Sequence, residues 1–196
     1  MNRLAHIVLL PDGQHEALQT WWLTEDGLMP SETLADDAAS LPVIALVAPE
    51  HIVVRWHGFE GLAPKQAEAA ARLEAASASV VAAGLHISAH ERDGVVVSGS
   101  IDSQFFARGL DRLKAEGLDP DHVWPMGLLL PADAENPLRA RLGNACALRL
   151  GPKIFPGDPA LAALIAGDKP VRDIAEPEFA GYLRAALFDP PLDLRS

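Results

Sequence analysis

Residues 102–131 constrain the fold of this chain more than any other stretch, because they spell a helix, its stop and a following strand. Phe106, Leu110 and Leu113 recur at helical spacing, with Arg108, Asp111, Arg112 and Lys114 on the opposite face. Gly117 can take the left-handed conformation that ends a helix, Leu118 can fold back onto Leu113, and Pro120 prevents the helix from resuming. No residue of this segment has a catalytic pattern around it.

Elsewhere the punctuation is that of strands. Asp12-Gly13, Asp26-Gly27 and Asp93-Gly94 are pairs that favour tight hairpin turns. They predict strands over Leu4 to Leu10, Glu16 to Thr24 and a short one from Leu28. A weak helix from Glu32 to Ala39, begun by Ser31, is expected next, then strands over Val43 to Val47 and His51 to Phe59. The alanine-rich run Lys65 to Ala83 favours helix by propensity, with Pro64 at its start. A hairpin of Leu85 to Glu91 and Val95 to Ile101 precedes the helix described above. After it come an irregular polar stretch, Ala132 to Pro137, and a strand around Ala145 to Leu150. Two helices follow, one started by Asp158-Pro159 and ended at Gly167, the other running from Glu176-Pro177 to Phe188.

This order predicts an α/β chain of mixed sheets built as two related halves, the organisation of the ribonuclease H-like and actin-like folds. The expected division is 1–62 for the first half and 63–189 for the second half with its C-terminal helices, followed by a linker over 190–196. No repeat is visible residue by residue, so the duplication rests on element order.

A chain of 196 residues that is 49% hydrophobic can bury a substantial core. Its formal net charge of −11 repels nucleic-acid phosphates and anionic lipid, and suits a basic protein partner better. The longest apolar stretch, Leu41 to Pro49, is far short of the roughly 20 residues that span a bilayer. Cys146 is the single cysteine and sits in an apolar strand context with no basic neighbour evident to activate it, so it reads as a buried thiol.

Phosphate chemistry in an actin-like fold needs hairpin amides around the phosphates and an aspartate to place a metal. The first hairpin offers Pro11-Asp12-Gly13-Gln14-His15 without an Asp-x-Gly-Thr arrangement, and Asp93-Gly94 supplies no second glycine-rich loop. A ribonuclease H-like nuclease needs carboxylates on strand interiors, but Asp12, Glu25, Asp26 and Asp93 fall in turns. His86 and His90, four residues apart on a strand, lie about 13 Å from each other, too far to share one ion. His51 and His57 are unconnected to them. Of Trp21 and Trp22, one is expected inside and one partly exposed, and Trp56 is expected to pack in the core. No catalytic, cofactor or metal site is therefore assigned, and no cofactor is expected.

The segment Phe105 to Pro131 resembles the cytoplasmic domain of type II secretion system protein L. Leu113-Lys114-Ala115-Glu116-Gly117-Leu118-Asp119-Pro120, then Val123-Trp124-Pro125 and Leu129-Leu130-Pro131, follow that family's helix, stop, strand and terminal Leu-Pro. Val43 to Pro49 and Val53-Val54-Arg55-Trp56 resemble its strand pair, and Leu192-Asp193-Leu194-Arg195-Ser196 falls where the family leaves its cytoplasmic domain. The family's acidic Leu-Glu-Glu helix is represented only by Leu73-Glu74. The resemblance implies an actin-like scaffold without catalysis, on the cytoplasmic face of the bacterial inner membrane. It implies recruitment of the secretion ATPase through that enzyme's N-terminal domain, contact with other inner-membrane platform proteins, and an unassigned interface, and it leaves a homodimer open. The chain is then expected to be a fragment of a single-pass protein, with 190–196 leading toward an absent membrane span. The alternative is an actin-like nucleotide-binding enzyme, an ATPase or kinase-like protein. The actin-like adaptor of type IV pili fits less well, because such relatives keep phosphate loops.

Overall fold

The computed structural model describes residues 2–12, 17–31, 41–78 and 84–195. In chain order the strands and helices are β1 (Arg3–Leu9), β2 (Thr20–Thr24), β3 (Leu28–Pro30), β4 (Val43–Val47), β5 (Ile52–His57), α1 (Pro64–Ser77), β6 (Leu85–Arg92), β7 (Val95–Asp102) and α2 (Ser103–Ala115). They continue as β8 (His122–Pro125), β9 (Leu138–Leu142), β10 (Ala145–Leu150), β11 (Lys153–Pro156), α3 (Pro159–Ala166), β12 (Arg172–Ile174) and α4 (Glu176–Ala186). The helix expected over 32–39, the start of the strand expected from Glu16, and the last residues of the alanine-rich helix lie outside the described residues.

The first sheet has the order β3-β2-β1-β4-β8, and β2 alone runs against its neighbours. The second has the order β11-β10-β9-β12, with β10 alone reversed. Both follow the ribonuclease H-like scheme, in which a three-strand meander is joined on its first strand by a parallel fourth. The mixed α/β architecture with two related sheets is therefore the one observed.

The sheets do not divide at residue 62. A third sheet, β5-β7-β6, is inserted between β4 and β8 and pairs β5 with β7 across that point, while β8 returns to complete the first sheet. Three short strands escaped the sequence reading. Among these, β9 carries a clean alternation, with Leu138, Ala140 and Leu142 buried and Arg139 and Arg141 between them.

Each face of the first sheet is covered. Ile7, Leu9, Ile44, Leu46 and Trp124 pack with the inner residues of β9 and β10 and with Phe179 and Leu183 of α4. On the other face Val8, Leu10, Ala45 and Val123 pack against Phe106 and Leu113 of α2. The stop after α2 forms as the residues predict: the Leu118 N–H donates to the Leu113 carbonyl at 2.9 Å, with Gly117 at φ 80° between them.

The segment expected as a linker over 190–196 is packed in its described part. Leu192 and Leu194 are buried in the α2 core. The Leu194 N–H donates to the Val123 carbonyl at 2.9 Å, and the Asp193 carboxylate accepts from the Val123 N–H at 3.0 Å. Asp193 also meets His122 Nδ1 at 2.7 Å, and the Leu194 carbonyl accepts from His86 Nε2 at 2.5 Å. Leu192 and Leu194 are buried while Asp193 holds β8, so residues 192–194 form a strap from β8 to β6 instead of a free tether.

Candidate functional site

In a fold of two such sheets, the turns of their first hairpins face one another across a cleft. One side is the β1–β2 connection, of which Leu10, Pro11 and Asp12 and the residues from Ala17 onward are described. The other is the β9–β10 turn, Gly143-Asn144, and not the Asp93-Gly94 turn considered from the sequence, which joins β6 to β7 in the inserted sheet. Gly143 has φ 57°, which suits the first central position of a two-residue hairpin turn. The signal was present as Gly-Asn after the β9 alternation, but it points to a hairpin only once β9 is recognised.

Among the described residues this cleft is narrow. Gln19 Oε1 accepts a hydrogen bond from the Asn144 N–H at 2.9 Å, joining the two hairpins directly. The space left between Leu9, Asp12, Glu50, His51 and Asn144 is about 50 Å³, whereas ligand pockets run from about 300 Å³ upward. Its lining includes the carboxylates of Asp12 and Glu50, which oppose a phosphate unless a cation intervenes. His51, in the short 3₁₀ turn Pro49–His51, has Nε2 3.9 Å from Asp12 Oδ1 and is stacked on Phe105 at 4.2 Å between centroids. A wider groove of about 460 Å³ runs along α2 beside Asp12, where Arg108 and Arg112 alternate with Asp111 and Glu116 and leave no consistent sign.

The other candidates scatter. Gly13, Gln14 and His15 lie outside the described residues. Glu25 and Asp26 occupy the β2–β3 turn. The two β6 histidines face different partners: His86 reaches the strap and stacks on Phe106, while His90 Nδ1 lies 3.8 Å from Glu68. His57 is buried between Glu74 at 3.0 Å and Ser98 at 2.8 Å, an arrangement that ties α1 to β5 and β7. Ser98 is itself buried, so the chain resembles a triad in connectivity without presenting a nucleophile. Cys146 is half-buried on β10 and not fully buried, and the basic neighbours that the sequence did not reveal are Arg141, opposite it on β9, and Arg139; burial outweighs them and pushes the thiol pKa up. Trp22 is buried and Trp21 only partly so, as alternation requires, and Trp56 is partly buried against the α2 core.

One important residue was missed. Arg149 on β10 is buried, and its guanidinium donates to the carbonyls of Leu128 at 3.2 Å, Gly151 at 3.0 Å and Leu130. Removal from water pulls its pKa down to about 10. It fastens the 3₁₀ turn Met126–Leu129, which ends the first sheet, to the second sheet.

Neither a family model nor a curated protein matches the sequence. Among solved structures, the cytoplasmic domain of EpsL, an inner membrane component of the type II secretion system of Vibrio cholerae, superposes with a TM-score of 0.72 at 16% identity. The match covers 97% of both chains. The chain has the fold of that domain. The fold implied by the resemblance of residues 105–131 is thus the fold found. A PilM-PilN type IV pilus biogenesis complex aligns at a TM-score of 0.47 and 15% identity, over 80% of this chain and 60% of that one. A Bacteroides thetaiotaomicron protein with an actin-like ATPase fold and unknown function aligns at 0.42 and 10% identity, over 79% and 66%. Among the described residues no helix is long and apolar enough to cross a membrane.

Proposed function

We propose that this chain is a non-catalytic assembly-platform domain of bacterial type II protein secretion, working at the cytoplasmic face of the inner membrane by recruiting the secretion ATPase through protein contact. The observation that carries this reading is the likeness to the EpsL cytoplasmic domain over 97% of both chains. The cleft is in keeping with it, because Gln19 joins the two hairpins and the space among the described residues there is about 50 Å³, small beside a nucleotide site. The net charge of −11 favours a basic docking surface and fast association. Other inner-membrane platform proteins are the further partners of such a domain.

Binding to the N-terminal domain of the cognate secretion ATPase tests the proposal. Titration calorimetry is expected to show a saturable complex whose affinity falls between 50 and 300 mM salt. No binding at the lower salt concentration overturns it. The competing reading, an actin-like enzyme, shares the sheet order and requires magnesium nucleotide to bind this cleft.

A further inference from the structure

We propose that Gln19 is an internal latch, whose carboxamide takes the place of a ligand at the β9–β10 turn and holds the two sheets together across the cleft. Gln19 stands immediately before β2, and its own carbonyl accepts from the Leu9 N–H at 3.1 Å, so its main chain belongs to the first hairpin. Its side chain belongs to the second. The 2.9 Å bond from Asn144 spans 125 positions of sequence and uses a turn amide that would otherwise face the cleft.

The β9–β10 turn is shaped around this contact. A Cβ on Gly143 would run into the Gln19 carboxamide oxygen and come within 3.0 Å of both Gln19 Cδ and Trp21 Cη2. A neutral carboxamide oxygen satisfies the amide without bringing charge next to Asp12 and Glu50, which a phosphate would have to do. The closed arrangement therefore needs no bound nucleotide. This inference concerns the cleft alone and does not depend on the docking partner.

Amide hydrogen exchange on the full chain, resolved by NMR, tests the latch. Gln19→Ala and Gly143→Ala break the contact from opposite sides, and each is expected to speed exchange of the Asn144 amide on the order of tenfold. The Leu148 amide, in mid-strand on β10, stays as slow as in the unaltered protein. Gln19→Asn keeps the neutral carboxamide but is one methylene too short to reach the turn, and it speeds exchange of the Asn144 amide as Gln19→Ala does. The double variant exchanges Asn144 no faster than the single ones, since the bond can be lost only once. An Asn144 amide equally protected in Gln19→Ala, or effects that multiply in the double variant, overturns the latch. Should Gln19→Ala fail to fold, Gln19→Asn and Gly143→Ala still test the contact from its two sides, and an Asn144 amide as protected in both as in the unaltered protein overturns it. Failure to bind the secretion ATPase would leave this exchange pattern untouched.

Discussion

His6 is fully buried on β1, stacked on Trp22 at 4.2 Å, and neither ring nitrogen has a hydrogen-bond partner among the described residues. Burial first, and the charge of Arg3 second, lower its pKa. The unfolded chain therefore binds this proton more readily than the folded one, and the stability tied to a neutral His6 is lost as pH falls through about 6.5. His6→Phe should raise stability at pH 7.5 by about 1 kcal/mol and make the fall in melting temperature toward pH 5 shallower. An unchanged pH slope in scanning calorimetry would contradict this account. Arg149 is the opposite case, a buried cation whose Nε and Nη1 donate to three carbonyls. Arg149→Met should cost about 2–3 kcal/mol in urea unfolding, because three acceptors lose a charged donor. Neither role can be read from the sequence, since both depend on strands that meet only after folding. An arginine within the apolar run Ala145–Leu150 was nevertheless visible, and is unusual enough to have marked a buried donor.

Local signals made some elements legible and hid others. α2 was legible because its stripe and stop lie within a few residues of each other; its cap is a structural finding, Asp102 accepting from the Phe105 N–H at 2.7 Å, and Asp102→Ala should cost about 1 kcal/mol by thermal unfolding. The Asp158-Pro159 start of α3 was legible for the same reason, with Asp158 accepting from the Ala160 and Leu161 amides. By contrast, β12 has three residues and no turn pair of its own, so only its sheet partner defines it; β11, of four residues, follows the two-residue turn Gly151-Pro152, a hairpin signal present in the sequence. The strap is the clearest instance of position misleading: two prolines before it suggested a linker, yet Leu194 is fully buried. Leu194→Ala should lower stability by about 3 kcal/mol, measured by denaturant unfolding. A change within experimental error would mean that Leu194 contributes nothing to the core and the strap does not hold.

At the scale of the molecule, two sheets of one topology enclose a cleft that this chain closes with its own side chain. The class of fold was legible from the alternation of strand and helix signals, but the inserted β5-β7-β6 sheet was not. Its hairpin looks in sequence like the start of a second half, and only pairing of β8 with β4 shows where the first sheet ends. The cleft was illegible for a related reason: its second wall begins at Leu138, well beyond the Asp93-Gly94 turn. The central claim, that this architecture serves recognition and not nucleotide chemistry, meets its most direct test in thermal unfolding with and without magnesium ATP. With millimolar nucleotide the melting temperature should not move. A ligand at a hundred times its dissociation constant would stabilise the fold by about 2.7 kcal/mol, roughly 5–10 °C for a chain of this size, and an upward shift of that order would contradict the account.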